Sequence, residues 1–216
     1  IPKPKQDIVC IGVNYDEHVE EAKHIIDFEN KHATVYFSKR VNRASGNNDV
    51  IPVYSFVDSL DYEVELGVII RKDVFNAKEE AALNAVFGYT VINDVSARNI
   101  QLKHQQWYLG KSLDGYTPIG PCIVTKDEIK DIHNLNITCK VNGEIRQNSN
   151  TKYMITTIVK AIAELSEGMT LQSGTIIATG TPGGVAMGMK PPKFLHSGDE
   201  VVCEIDEIGV LSNQVG

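Results

Sequence analysis

Two glutamates, Glu63 and Glu65, lie two residues apart in an otherwise apolar segment. Side chains at this spacing in an extended strand point to the same face, so the two carboxylates would lie side by side. A pair of this kind, taken alone, is usually no more than the solvated face of a strand. A chemical role needs a third group nearby.

Asp94 supplies such a group, because it follows the apolar run Tyr89-Thr90-Val91-Ile92 and Asn93. If strands at 62–70 and 88–94 pair, the three carboxylates converge. Three buried anions without a counter-charge are strongly disfavoured, and a hard divalent cation would relieve their repulsion. Carboxylate oxygens are preferred ligands of Mg²⁺ and Mn²⁺, whereas zinc more often takes histidine or cysteine. The pattern predicts a Mg²⁺ or Mn²⁺ site formed by Glu63, Glu65 and Asp94.

His18 is the histidine with a chemically informative neighbour, since Glu21 follows it at helical i+3 spacing. A carboxylate in this position raises the basicity of an imidazole and fixes its tautomer, as in general-base pairs. A single histidine on a helix is more commonly structural or exposed. Both interpretations therefore stand at this point.

Lys111 occurs in Gly110-Lys111-Ser112, which superficially resembles a phosphate-binding loop. That motif requires a glycine five residues before Gly110, where this chain has Gln105, so nucleotide binding is rejected. Lys111 could instead place a fixed positive charge beside a substrate carboxylate or a developing oxyanion. The alternative is an ordinary surface lysine.

A glycine-rich turn, Thr179-Gly180-Thr181-Pro182-Gly183-Gly184, follows a short apolar run. It does not match a dinucleotide-binding fingerprint. Such a turn allows the backbone to approach a ligand and offer N–H donors, although turns of this composition are common at strand ends.

The elements that must hold these groups are mostly strands. Short runs with alternating or continuous apolar character predict strands, and Asn142-Gly143 predicts a tight hairpin turn. Few segments have helical spacing, so we predict an α+β fold that is mainly β, with a mixed, largely antiparallel sheet and peripheral helices. The predicted strands are 8–13, 34–38, 62–70, 88–92, two within 135–145, 175–178 and 200–205, and the predicted helices are 15–26, 78–86 and 154–165.

Composition limits the classes of partner. The chain has 216 residues, a net charge of −7 and 42% hydrophobic residues, which suits a single domain over 1–216. An acidic chain without basic clusters argues against nucleic acids and anionic membranes as partners. With no apolar run near 18 residues and no signal peptide, neither a membrane span nor secretion is expected. The four scattered cysteines are expected to be reduced thiols in the cytoplasm.

Taken together and in order, the motifs resemble the fumarylacetoacetate hydrolase family, particularly its shorter acylpyruvate hydrolase-like members. The resemblance extends from residue 8 to about residue 202. Two departures are Glu17 and Asn99, where relatives often have aspartate. The motifs are Gly12-x-Asn14-Tyr15-x-x-His18-x-x-Glu21, Glu63-x-Glu65, Asn93-Asp94-Val95-Ser96-Ala97-Arg98, Gly110-Lys111-Ser112-x-Asp114 and Thr179-Gly180-Thr181-Pro182-x-Gly184-Val185.

The resemblance implies a mixed β-roll fold, a homodimer and one Mg²⁺ or Mn²⁺ ion. It assigns the metal to Glu63, Glu65 and Asp94, and a water-activating dyad to His18 and Glu21. It also implies that residues 20–32 form a mobile lid. Lys111 would polarise the substrate, and the implied substrate contacts are Arg98, Gln101, Gly180 and Thr181.

The implied activity is metal-dependent hydrolysis of a C–C bond in a 2,4-dioxo acid such as an acylpyruvate or fumarylpyruvate, with a pyruvate enolate as the leaving group. The same site could instead decarboxylate oxaloacetate, or isomerise and decarboxylate 2-hydroxyhepta-2,4-diene-1,7-dioate. A different class of protein also stands as an alternative, namely a non-catalytic β domain that binds a metal for stability. A phosphatase or nuclease is disfavoured by the acidic charge.

Overall fold

The computed structural model describes residues 3–22, 33–104 and 106–216. Strands dominate this part of the chain, and its α-helices are short. The strands are β1 (Ile8–Gly12), β2 (Val35–Lys39), β3 (Val50–Ile51), β4 (Leu60–Asp61), β5 (Val64–Ile70), β6 (Val86–Asn93), β7 (Ser96–Ala97), β8 (Ile119–Thr125), β9 (Asn136–Val141), β10 (Glu144–Asn150), β11 (Ile176–Ala178), β12 (Glu200–Ile205) and β13 (Gly209–Val215). The helices are α1 (Asp16–Ala22), α2 (Glu79–Ala82), α3 (Arg98–Lys103), α4 (Tyr108–Lys111) and α5 (Ile158–Gly168).

Two sheets carry most of the structure. The larger has the order β2-β1-β11-β5-β6-β8, with β1 and β11 parallel and the other neighbours antiparallel. The smaller has the order β10-β9-β12-β13-β3. Every residue of the apolar strand β5 is buried, as expected of a strand covered on both faces. Strands β9 and β12 alternate between buried and more exposed residues, so one face of each points to the core.

The hairpin between β9 and β10 turns at Asn142 and Gly143, as predicted. Their φ angles are 50° and 79°. Two successive positive φ values are typical of the tight turn that matches the twist of paired strands, and Asn-Gly accommodates them with little strain. The prediction of a mainly β fold with peripheral helices is confirmed.

Helix α1 begins at Asp16, within one residue of its predicted start. The nearby Asn14 bonds the backbone of Thr156 and Thr179 through its side-chain amide. The predicted start of the last helix is wrong. The last helix begins at Ile158, four residues after the predicted start, because the Thr157 side chain accepts the Lys160 N–H and caps it there. Residues 23–32, which include most of the predicted lid, lie outside the described residues.

Strands β8 and β13 and helices α3 and α4 were absent from the sequence prediction. β8 contains Gly120-Pro121, which argues against a strand in the sheet interior, but β8 lies at an edge of its sheet, where proline is tolerated. Helices α3 and α4 have only six and four residues, too short for a helical pattern to emerge. Within the described residues, no helix is long and apolar enough to cross a membrane.

Candidate active site

The three predicted metal ligands converge because β5 and β6 pair. Val64 lies opposite Asn93 in the antiparallel register, which places the preceding Glu63 beside Asp94. The Asp94 N–H donates to the Glu63 carbonyl oxygen at 2.8 Å. One carboxylate oxygen from each of Glu63, Glu65 and Asp94 lies within 4.8 Å of the others, and all three residues are buried.

Two buried lysines contact this cluster. The Lys111 Nζ lies 2.7 Å from Glu63 Oε2 and 2.6 Å from Asp94 Oδ2. The Lys39 Nζ lies 2.5 Å from the other Asp94 oxygen, Oδ1. Glu63 and Asp94 therefore each have cationic partners, whereas Glu65 forms no ion pair with the described part of the chain.

The pKa values of Glu63 and Glu65 are shifted in opposite directions, because Glu63 has cationic partners and Glu65 has none among the described residues. Burial, and then the neighbouring charges of Asp94 and Glu63, raise the pKa of Glu65 well above its usual range. Burial also disfavours ionisation of Glu63, but Lys111 and Arg98 outweigh it and hold its pKa well below the usual range. A divalent cation among the three carboxylates would give Glu65 the positively charged partner that it lacks among the described residues. The all-oxygen donor set fits a hard cation such as Mg²⁺ or Mn²⁺.

Arg98 joins several parts of the site. Its Nε donates to Asp61 Oδ2 at 2.9 Å, and one terminal nitrogen donates to Gln101 Oε1 at 3.0 Å. The other terminal nitrogen lies 2.6 Å from Glu63 Oε1. The guanidinium therefore orients a predicted metal ligand and a predicted substrate-binding amide together. Direct contact of Arg98 or Gln101 with substrate remains a prediction.

Asp61 is a central residue that the sequence analysis missed. Its carboxylate is fully buried and accepts the N–H groups of Tyr62, Ala186 and Met187 in addition to the Arg98 Nε. It thereby ties the loop at 186–187 to Arg98. Its place just before Glu63 and Glu65 gave a hint, but an aspartate at a strand end is normally exposed.

Lys39 was also missed. It ends β2, where a lysine is ordinarily a surface residue, yet it is 1% exposed. In addition to Asp94, its Nζ donates to the Val95 carbonyl at 3.0 Å. Burial lowers the pKa of Lys39, and the Asp94 charge opposes this shift.

The predicted dyad lies on α1. His18 Nδ1 is 3.6 Å from Glu21 Oε2, which is close enough for an ion pair but longer than a hydrogen bond. Glu21 Oε1 accepts the Gly184 N–H at 2.8 Å. A Cβ on Gly188 would lie 2.7 Å from Glu21 Cδ, so a glycine there leaves room for the carboxylate. The glycine-rich loop thus holds Glu21 beside His18.

The same loop contacts the metal cluster. The Gly180 N–H donates to Glu65 Oε2 at 2.8 Å, and its φ of 92° favours glycine. The Thr181 hydroxyl donates to the Val64 carbonyl oxygen and accepts from Nε2 of the fully buried Gln147. Gln147 was not identified from the sequence. The Thr181 hydroxyl already has two protein partners. Its contact with substrate remains a prediction.

One cavity, with a volume of about 20 Å³, brings these groups together. Most of the predicted site residues line it. The other three contact lining residues: Glu21 lies beside His18, Asp94 beside Lys111 and Gly180 beside Glu65. A separate groove of about 650 Å³ includes Lys3, Arg40 and Thr175 but none of the predicted site residues. The predicted residues in the smaller cavity's wall are His18, Glu63, Glu65, Arg98, Gln101, Lys111 and Thr181.

A mixed-β fold with a buried cluster of three carboxylates beside the cavity fits the class of enzymes that bind a divalent cation. Comparison with known proteins identifies the family, because residues 7–216 match the model described as fumarylacetoacetate (FAA) hydrolase C-terminal. The oxaloacetate tautomerase YisK of Bacillus subtilis (strain 168) is 46% identical over 217 residues, which cover all of this chain and 71% of that protein. An uncharacterized protein of Staphylococcus aureus (strain USA300) is 44% identical, over 98% of this chain and 69% of its own length.

Solved structures agree. A fumarylacetoacetate hydrolase from Exiguobacterium antarcticum is 42% identical and superposes with a TM-score of 0.89, over 98% of this chain and 75% of that one. A 2-hydroxyhepta-2,4-diene-1,7-dioate isomerase from Mycobacterium marinum is 32% identical with a TM-score of 0.81, over 97% and 73%. This chain belongs to the fumarylacetoacetate hydrolase family, and the resemblance inferred from its motifs is confirmed.

Proposed function

We propose that this enzyme interconverts the enol and keto forms of a short 2-oxo diacid, with oxaloacetate as the first substrate to test. The observation that carries the proposal is the placement of His18 in the wall of the same cavity as Glu63, Glu65 and Lys111. A proton-transfer group thus faces the groups that would hold the 2-oxo acid. The 46% identity to a protein named oxaloacetate tautomerase supports tautomerisation over the C–C hydrolysis favoured by the sequence motifs.

The chemistry divides between the cluster and the side chains around it. A divalent cation held by Glu63, Glu65 and Asp94 would act as a Lewis acid on the 2-oxo group. His18 would take a proton from carbon 3 of the keto acid, and a proton returned to oxygen completes the enol. No atom is gained or lost overall. Lys111 would hold positive charge where the oxygen becomes negative, which lowers the barrier.

The residues behind His18 and Lys111 keep these two groups in position. Glu21 accepts the Gly184 N–H and lies 3.6 Å from His18 Nδ1, from where it would orient the imidazole. Arg98 and Asp61 hold Glu63 and the loop at 186–187 together. Rotation of either reacting group away from the cavity would separate it from the substrate, because proton transfer requires hydrogen-bond reach.

Hydrolysis of a 2,4-dioxo acid is the second candidate, and the pairing of His18 with Glu21 favours it. An imidazole backed by a carboxylate is an arrangement that activates water. One of the solved relatives is named a fumarylacetoacetate hydrolase, which agrees with this candidate. Decarboxylation of oxaloacetate would use the same cavity, so products must decide among the three.

The test combines three product assays on one preparation. Oxaloacetate enol is followed by its ultraviolet absorbance, pyruvate is measured enzymatically, and acetylpyruvate is followed by loss of its diketone absorbance, each with Mg²⁺ and with EDTA. Rapid loss of enol without pyruvate supports tautomerisation. Pyruvate from oxaloacetate would mean decarboxylation, and cleavage of acetylpyruvate would mean hydrolysis. Lack of all three activities would refute the proposal.

His18→Ala, compared with His196→Ala, is the matched pair of variants, since His196 is exposed and does not line the cavity. We expect only the first to lose activity. The homodimer and the cytoplasmic location remain predictions, and light scattering on the purified protein tests the first of these.

A further inference from the structure

Gln147 owes its buried position to an irregularity in β10. Ile145 lies opposite Lys140 and Gln147 lies opposite Cys139, so Arg146 is an extra residue in the pairing of β10 with β9. Without this bulge, Gln147 would share the exposed face of Ile145, because alternate residues of a strand point the same way. Bulges redirect side chains in this manner. The Gln147 amide instead points into the protein, where it is fully buried.

The buried amide fills a gap beside β5. Strand β6 pairs with one edge of β5 along its length, whereas β11 pairs with the other edge only over its second half and does not reach Val64. Gln147 Oε1 accepts the Val64 N–H at 3.0 Å, and the Thr181 hydroxyl donates to the Val64 carbonyl oxygen at 2.9 Å. These two side chains therefore hold the two peptide groups that connect Glu63 to Glu65.

Each donor and acceptor in this group has one possible assignment. A backbone N–H can only donate, so the Gln147 oxygen faces Val64 and its amide nitrogen faces the other way. That nitrogen donates to Thr181 Oγ1 at 2.7 Å and to the Pro182 carbonyl oxygen at 2.9 Å. The Thr181 hydroxyl gives its own proton to the Val64 carbonyl, which can only accept. Val64, Gln147 and Thr181 thus form a closed ring of hydrogen bonds with a fixed direction.

The ring also joins the carboxylate cluster to the glycine-rich loop. Thr181 and Pro182 belong to this loop, and the preceding Gly180 donates its N–H to Glu65 Oε2 at 2.8 Å. A Cβ on Gly184 would clash with the backbone of β10 just before the amide, so the loop lies directly on the bulged strand. A shift of the amide would therefore move both the peptides between the two glutamates and the loop that contacts one of them.

We propose that Gln147 is a positioning residue for the metal site, which holds Glu63 and Glu65 at the spacing that a divalent cation requires. This inference rests on the proposed function, because it concerns the same carboxylates. Gln147 is not among the residues that line the cavity, so it acts through Val64 and Thr181. Mg²⁺ tolerates little departure from ideal ligand geometry, so a small displacement of the two carboxylates would weaken its binding.

Metal binding by a Gln147→Met variant tests this role without relying on turnover. Methionine has a similar length but no amide, so the Val64 N–H and the Pro182 carbonyl lose a partner. Loss of an outer hydrogen-bond partner at a metal site typically weakens binding about 10–100-fold. Electron paramagnetic resonance of free Mn²⁺ measures the affinity of the folded protein. We expect Gln147→Met to bind Mn²⁺ at least ~10-fold more weakly than the wild type.

Asn213 provides the matched control for a buried amide. It lies in β13, is 1% exposed and donates to the carbonyl oxygens of Gly46 and Asp49, each at 2.8 Å. Neither partner belongs to the candidate active site. Asn213→Leu removes two buried hydrogen bonds, so it should lower Tm as Gln147→Met does but leave Mn²⁺ affinity unchanged. An amide that only stabilises the fold would give this same result at position 147.

Wild-type Mn²⁺ affinity in folded Gln147→Met, together with wild-type turnover of oxaloacetate, would overturn the positioning role and leave the proposed function intact. An equal loss of Mn²⁺ affinity in Asn213→Leu would also overturn it, since the effect would then be a general loosening of the fold. Absence of both Mn²⁺ binding and oxaloacetate turnover in the wild type would overturn the inference and the proposed function together.

Thr181→Val decides the question if Gln147→Met does not fold, because it breaks the same ring from the side of the loop. It should bind Mn²⁺ more weakly than Thr181→Ser, which keeps the hydroxyl. Equal Mn²⁺ affinities of these two variants would overturn the positioning role.

Discussion

The three predicted metal ligands should differ sharply in what they do for the stability of the metal-free protein. Asp94 contacts Lys39 through one oxygen and Lys111 through the other. Glu65 has no ion pair with the described residues and accepts a backbone N–H from Gly180. Asp94→Asn and Glu65→Gln remove the same formal charge from the same cluster. Only the first leaves buried cations without their partner.

The magnitude follows from these contacts. Breaking a buried ion pair by removing one partner costs about 3–5 kcal/mol. For a protein of this size, 1 kcal/mol corresponds to about 2–4 °C in Tm, so Asp94→Asn should lower Tm by roughly 6–20 °C in EDTA. Glu65→Gln keeps an acceptor for the Gly180 N–H and removes an uncompensated charge. Its free energy of unfolding in EDTA should equal or exceed that of the wild type.

Guanidinium denaturation and thermal melts, each with EDTA and with Mg²⁺, measure both quantities. Mg²⁺ should raise the wild-type Tm and have no effect on either variant, because both have lost a ligand. Glu63→Gln should resemble Asp94→Asn, since Glu63 also contacts two cations. Glu79→Gln, at an exposed position on α2, is the control for loss of a carboxylate.

Equal destabilisation of Glu65→Gln and Asp94→Asn in EDTA would refute this account of the charges. It would mean that Glu65 has a stabilising partner comparable to the two lysines of Asp94. A Mg²⁺-induced rise in the Tm of Glu65→Gln would separately refute its assignment as a ligand.

Three other outcomes follow from the site. His18→Ala should keep its Mg²⁺ affinity, measured by calorimetry, but lose at least ~100-fold in rate, the lower end for removal of a general base. Asp61→Asn should lower the unfolding free energy by about 3–5 kcal/mol and raise KM, because it disconnects Arg98 from the loop at 186–187; unchanged melts and KM would contradict this role. Gly188→Ala should reduce the rate without weakening Mg²⁺ binding, since its Cβ would displace Glu21; an unaffected rate would argue against the dyad.

The sequence analysis found the chemical groups more reliably than the element boundaries. The spacing of Glu63 and Glu65 was enough to place them on one face, because strand geometry is local. The convergence with Asp94 required a single assumption, that two strands pair, and the register of β5 and β6 satisfies it. Helix starts were less predictable, because a single capping side chain can decide them. In α5 the capping residue is Thr157, whose hydroxyl accepts the Lys160 N–H.

The residues that were missed share a physical cause. Lys39 and Asp61 have polar side chains at strand ends, where sequence gives no indication of burial. Gln147 lies in a hairpin strand that showed no distinctive motif, yet it joins Val64 to Thr181 and Pro182. Each is buried only because segments far apart in the chain meet over it. Burial of a polar group of this kind is a property of the assembled fold.

The sequence by itself determined the family, through the resemblance of its ordered motifs. It also determined the mainly β composition of the fold and the carboxylate set that favours a hard divalent cation. These last two follow from residue types and short spacings, which fix side-chain direction within one strand or helix. Tertiary structure alone decided how charge is distributed around the carboxylates, with Lys39 and Lys111 on Asp94 and no ion pair to Glu65 from any described residue. It also decided that the side chain of Trp107 packs on the backbone at Gly12 in the cavity wall. Those contacts join residues tens of positions apart, so they depend on sheet order and register.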